Sequence, residues 1–239
     1  MKKIIAINSE KAADFKLKKI YDKIFAFSRK GILANEVNIN PFLMDKERDM
    51  RKGVSLIVKP KEEVLEKIKE KIEELKKAEP GQYYYDLNDL HFTVYSIQRV
   101  SPDFVFNEDN ISKFKKIFKK YFQDKNKFKI RINGITANKS AVMLQGFVGG
   151  KHLKIRKGLK KVLEKSELPY NNKFMSTIAH SCISRYKEKL KKPAQFVQNI
   201  EKNRDVDLGE FEVDKILFVH HDYFNSKDKT EVIAEYKLA

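Results

Sequence analysis

Apolar positions along the 239-residue chain fall into short alternating or continuous runs, separated by longer stretches with three- and four-residue spacing. That is the pattern of strands mixed with amphipathic helices. Residues 10–30 carry Phe15, Leu17, Ile20, Tyr21, Ile24, Phe25 and Phe27 at helical steps. An irregular charged segment, Asn38 to Lys52, follows. Gly53 to Val58 reads as a buried strand halted by Pro60. Val64, Leu65, Ile68, Ile72 and Leu75 set a helix over 61–77, which Glu79-Pro80-Gly81 ends. Leu90 to Ile97 is the next strand, and Ile111, Phe114, Phe118 and Tyr121 mark a third helix. Phe128 to Ile132 alternates as a half-exposed strand, and Ala141 to Val148 is another, leading through Gly149-Gly150 into a helix with Ile155, Leu159, Val162 and Leu163. Ser176 to Tyr186 reads as strand and Phe196 to Ile200 as short helix. Phe211 to Val219 and Thr230 to Leu238 close the chain as two strands of a hairpin through Asn225-Ser226-Lys227-Asp228.

This order contains a weak internal repeat. Strand 54–58, helix 61–77 and strand 90–97 recur as strand 141–148, helix 152–165 and strand 176–186. Val54 lies 37 residues before His91, and Val142 lies 38 before His180, so each unit ends on a strand that carries a histidine. The duplication separates these two from the other three histidines.

Side chains alternate along a strand, so His91 and Thr93 share one face while Phe92 and Val94 share the other. His180 and Cys182 pair in the same way; Arg185 is a further candidate to assist a phosphate, although the same parity puts it on the far face unless a bulge intervenes. If the two units pair about a pseudo-twofold axis, the imidazoles meet across a cleft. With ordinary pKa values near 6.5, one ring can take a proton from water while the other gives one to a departing oxygen. Hydroxyls two residues further along can hold the non-bridging oxygens of a phosphate. An isolated His-x-Thr is usually a structural histidine; a second strand histidine in the equivalent place of a repeat is much rarer by chance.

Composition changes the picture only modestly. Fifty Lys and Arg against 33 Asp and Glu give a net charge of +17, which favours encounter with polyanions. A lysine-rich genome produces the same excess. The single cysteine, Cys182, excludes an internal disulfide and a multi-cysteine zinc site. No apolar run is long enough to span a membrane, and the first apolar stretch is too short for a secretory signal, so a cytoplasmic protein is expected.

His91-Phe92-Thr93-Val94 and His180-Ser181-Cys182-Ile183 resemble the two H-x-T/S-x signatures of the 2H phosphoesterase superfamily, which includes the LigT-like 2′-5′ RNA ligases and RNA 2′,3′-cyclic phosphodiesterases. The resemblance covers roughly residues 50–239, with Arg51-Lys52-Gly53 before the first strand, Arg185 after the second motif and the closing strand pair. It implies an α+β fold of two pseudo-symmetric lobes, each mainly antiparallel sheet with outer helices, around a V-shaped cleft. The domain expected is 51–239, with 1–50 as an N-terminal helical extension. It also implies metal-independent hydrolysis without a cofactor, with His91 and His180 as the acid/base pair and Thr93 as a phosphate ligand. Cys182 stands where the family usually has Thr or Ser. The expected partner is RNA, an oligonucleotide or a nucleotide, carrying a 2′,3′-cyclic phosphate or a 2′-5′ linkage. Cyclic di- or oligonucleotide signals and an ADP-ribose cyclic phosphate are alternative substrates, and a catalytically weak nucleotide- or RNA-binding module is the alternative class.

Four further motifs have two readings each. Tyr83-Tyr84-Tyr85 can stack a base, with Tyr85 as a substrate contact, or pack between lobes. His220-His221-Asp222 suggests a metal pair, but neighbours on a strand diverge and a solvated strand end is the simpler reading. Gly149-Gly150 can cradle a phosphate or merely turn the chain into a helix. Lys154, Arg156, Lys157, Lys160 and Lys161 make that helix a polyanion rim or a solvated face.

Overall fold

Where a three-to-four spaced apolar stripe is flanked by charge, the chain is helical. The computed structural model of the chain describes residues 2–171 and 175–239. Its helices are α1 (Lys2–Leu33), α2 (Glu62–Ala78), α3 (Glu108–Phe122), α4 (Lys151–Glu164) and α5 (Pro193–Lys202). In α2 the stripe Val64, Ile68, Ile72 and Leu75 is buried, while Glu62 and Glu63 open the helix and Lys76 and Lys77 close it, matching the helix dipole at both ends. No described helix is long and apolar enough to cross a membrane.

The strands are β1 (Lys52–Val58), β2 (Tyr83–Tyr84), β3 (Phe92–Ser101), β4 (Phe128–Asn138), β5 (Ala141–Phe147), β6 (Ala179–Arg185), β7 (Asp207–Val213), β8 (Lys215–Asp222) and β9 (Glu231–Lys237). They build two antiparallel sheets, ordered β3-β1-β8-β9 and β2-β6-β5-β4-β7. The α+β fold with two antiparallel lobes is therefore as expected.

One expected strand is divided. The apolar pattern reads residues 211–219 as a single strand, but the chain passes from one sheet to the other at Asp214. Phe211 and Val213 pair with Ile130 and Phe128, whereas Leu217 and Phe218 pair with Ile57 and Leu56. The cause is a phase change: Phe211 and Val213 are buried at odd positions, Ile216 and Phe218 at even ones. A continuous strand cannot bury both sets on one face.

The helices also exchange lobes. α2 packs on β7 of the second sheet and on α5, although the strand before it, β1, belongs to the first, and α4, which joins two strands of the second sheet, packs on β3 of the first. β3 and β6, the two histidine strands, touch across the sheets. Gly146 makes that approach possible: a Cβ there would lie 2.8 Å from the Phe92 ring and 2.6 Å from the Ala179 carbonyl. α1 lies along β4 and β5, where the buried Tyr21 hydroxyl donates to the Ala179 carbonyl. The following segment first runs along the second lobe, with Asn40 N–H donating to the Tyr186 carbonyl (3.0 Å), and then crosses to the first, where Arg51 lies over the Tyr223 ring and Glu47 pairs with Lys229.

Candidate active site

The strand alternation that places Phe92 and Val94 in the core leaves His91 and Thr93 half-buried on the opposite face. His91 sits immediately before the first residue of β3. Its backbone N–H donates to Ser181 Oγ at 3.2 Å, tying it to the neighbour of His180 on β6. Both imidazoles line one cavity of about 350 Å³, together with Thr93, Cys182, Tyr85 and Arg185. All six expected site residues thus meet at one place.

Their hydrogen bonds set their chemistry. His91 Nδ1 lies 2.9 Å from the Asp89 carbonyl, which can only accept, so Nδ1 carries the proton and Nε2 of the neutral ring keeps a lone pair. His180 Nδ1 is buried without a partner among the described residues. Burial lowers the pKa of His91 to about 4, aided by the neighbouring His221 and His180. His180 is lowered to about 4 as well, first by burial and then by Arg156 and Arg185.

Arg185 reaches the cavity because β6 is bulged. Val142 pairs with Ser184 and Met143 with Cys182, so Ile183 is the extra residue and Arg185 rejoins the face of His180 and Cys182. Simple parity, which puts Arg185 on the far face, fails for this reason. β3 has a matching bulge at Val94, since Ile57 pairs with Thr93 and Leu56 with Tyr95. It carries Ser96 into the cavity wall. Each bulge lies three residues after its histidine, so the internal repeat extends to backbone detail.

The Arg185 guanidinium is held by its Nε donating to Tyr85 Oη (2.7 Å), by a longer contact to Cys182 Sγ (3.7 Å), and by the Tyr223 ring 4.8 Å away. Tyr85 is only 4% exposed and its phenol pKa is raised by burial, so it meets the cavity as a wall that orients Arg185. Tyr83 lies under the Lys46 ammonium (4.0 Å), and Tyr84 Oη donates to the carbonyls of Leu75 and Glu79.

Three cavity residues escape the sequence pattern. Arg156 groups there with the exposed lysines of α4, yet it is buried: Nε donates to the Val94 carbonyl, Nη2 to Thr93, and Nη1 to Ser176 and Ile178, all at 2.7–2.8 Å. Its phase with Leu159 and Leu163 on the buried face is the available signal. His221, expected at a solvated strand end, is 8% exposed and bonds through its ring to Ser55 Oγ (2.9 Å). β8 is buried on both faces, so alternation does not show which histidine faces inward. Ser55 itself, a lone hydroxyl in a run of apolar residues, is the visible irregularity. The adjacent His220 points away, its ring tilted against that of Phe106 with centroids 4.9 Å apart. Gly149 and Gly150, with φ of 56° and 76°, turn the chain into α4, and the Gly149 amide donates to Asp14 Oδ1 (2.9 Å). Among the described residues, no group of three His, Cys, Asp or Glu side chains is arranged to hold a metal ion.

Neither a protein-family model nor a curated protein sequence matches the chain. Solved structures do match its shape. TT0787 of Thermus thermophilus is 16% identical with a TM-score of 0.57, over 79% of this chain and 97% of that one. E. coli LigT complexed with 3′-AMP is 12% identical with a TM-score of 0.53, over 79% and 99%. A third, named as a phosphoesterase, is 13% identical with a TM-score of 0.51, over 79% and 99%. The fold is that of the LigT-like phosphoesterases.

Proposed function

We propose that this chain, with its LigT-like fold, is a phosphodiesterase that hydrolyses a 2′,3′-cyclic phosphate or a 2′-5′ linkage in RNA or a nucleotide, using His91 and His180 as acid and base. The observation that carries this reading is the convergence of the two imidazoles on one cavity, bridged at the backbone by the His91–Ser181 hydrogen bond. One ring removes a proton from water as the oxygen attacks phosphorus. The other protonates the departing ribose oxygen. Thr93 and Arg185 hold the non-bridging oxygens, and the guanidinium is pre-aimed by Tyr85. The complex of E. coli LigT with 3′-AMP supports a nucleotide as the ligand class. Residues 1–50 act in this reading as an extension that buttresses the second lobe. The test is a panel of nucleoside 2′,3′-cyclic phosphates, 2′-5′ dinucleotides, cyclic dinucleotides and ADP-ribose cyclic phosphate, assayed with excess chelator. Turnover of none of them, or turnover abolished by chelator, would reject the mechanism.

The pH dependence follows from the burial of both rings. The reacting pair needs one neutral and one protonated imidazole. In the free enzyme both have pKa values near 4, so the singly protonated form is depleted as pH rises above that range. kcat/KM, which reports the free enzyme, is expected to have its alkaline limb below 6.5 and to fall by up to about tenfold per pH unit beyond it. The limb of kcat lies at higher pH, because a bound phosphate anion raises the pKa of the ring beside it. An alkaline limb of kcat/KM at pH 8 or above would contradict this.

Cys182 favours a weaker enzyme, and through it the binding-module reading. A thiol donates more weakly than a hydroxyl, and this one already sits against the Arg185 guanidinium. Cys182→Thr is expected to raise kcat by about 2–10-fold, the kinetic equivalent of one ordinary hydrogen bond. A fall in kcat would instead mean that the sulfur is needed to position Arg185.

A further inference from the structure

The cavity contains one polar device that acid–base hydrolysis does not use. His221 Nδ1 lies 2.7 Å from the Asp222 backbone carbonyl. A carbonyl oxygen has only lone pairs, so Nδ1 bears the hydrogen. Burial lowers the pKa of this imidazole and keeps it neutral at physiological pH, which leaves Nε2 as an acceptor. Ser55 Oγ, 2.9 Å from Nε2, must then donate its only proton to His221. What the Ser55 oxygen retains is lone pairs. Ser55 and His221 line the cavity with His91 and Thr93.

An acceptor with committed polarity is out of place beside phosphate oxygens. Thr93, Arg185 and a protonated imidazole all donate, as an anion requires. Ser55 suits the opposite partner, a hydroxyl. The device is also one-sided: Ser55 follows Val54 on β1, and the equivalent residue after Val142 on β5 is the apolar Met143. A ligand bound between the lobes therefore meets a cation on the side of His180 and an acceptor on the side of His91.

We propose that Ser55 and His221 form a hydroxyl-recognition subsite, in which the Ser55 oxygen, its proton held by His221, accepts a hydrogen bond from the free ribose hydroxyl vicinal to the phosphate of a ribonucleotide. The inference rests on the phosphodiesterase reading and deepens it, since opening a cyclic phosphate releases such a hydroxyl. It makes the site selective for ribose over deoxyribose.

Calorimetric titration of the full chain with adenosine 3′-monophosphate and with 2′-deoxyadenosine 3′-monophosphate tests it. The native protein is expected to bind the ribonucleotide about tenfold more tightly, the worth of one hydrogen bond to a neutral acceptor. In Ser55→Ala the ratio of dissociation constants falls to near one, with the deoxynucleotide bound as before. His221→Phe keeps Ser55 but frees its proton to turn toward phosphate, and lowers the ratio too. Thermal melts report whether each variant folds. An unchanged ratio in Ser55→Ala, or equal weakening of both nucleotides, overturns the subsite but not the phosphodiesterase reading. An intact ratio in folded His221→Phe overturns the role of His221. Failure of the native chain to bind either nucleotide overturns the functional reading and the subsite with it.

Discussion

Replacing His91 or His180 with alanine is expected to cut phosphodiester turnover by about 10²–10⁴-fold, because each substitution removes one proton-transfer partner of the same step. The double variant should be little worse than either single one, since two groups that act as a unit do not lose their contributions additively. The two single variants should differ in stability. His91→Ala gives up the bond from Nδ1 to the Asp89 carbonyl, whereas the buried Nδ1 of His180 has no bond to give up among the described residues. A buried nitrogen without a partner costs stability, so His180→Ala is expected to lower the melting temperature less than His91→Ala. Steady-state kinetics on a cyclic phosphate measures the first effect and thermal unfolding the second. A loss below about tenfold in both variants would remove the mechanism.

The largest effect on stability is expected at Arg156. Its guanidinium spans the lobes, joining the Thr93 and Val94 carbonyls of β3 to those of Ser176 and Ile178 ahead of β6. Among the described residues no carboxylate forms an ion pair with it, and its hydrogens go to four carbonyl oxygens. Arg156→Met leaves those oxygens without their donor at about 1–3 kcal/mol for each that water cannot reach, so a total of about 3 kcal/mol or more is expected. For a chain of this size that lowers Tm by roughly 6–12 °C. Arg156→Lys should not restore it, because one ammonium cannot serve four oxygens placed for a planar fork. Lys157→Met, at an exposed position on the same helix, should stay within about 0.5 kcal/mol of the native protein and serves as the control. Activity should fall with Arg156→Met as well, since Thr93 and the approach to His180 lose the tie that sets their spacing, and a displacement of about 1 Å can cost 10²-fold. A melting temperature unchanged in Arg156→Met would show that the carbonyls find other donors.

Local spacing by itself determined the five helices, most strand positions, the repeated unit and the two histidines, because burial of one face at period 3.6 or 2 leaves its mark in neighbouring residues. It also determined that Phe92 and Val94 are core, and therefore that His91 and Thr93 turn away from it. Pairing between distant segments left no such mark. Only the assembled sheets decided that residues 211–219 divide at Asp214, that α2 and α4 exchange lobes, and that bulges at Val94 and Ile183 carry Ser96 and Arg185 to the cavity. The same holds for Ser55 and His221, 166 residues apart, and for Arg156, whose carbonyl partners lie on two other segments. Hydrogen bonds over such separations depend on which backbones meet. A periodic pattern records only that a residue is buried, not what it is buried against.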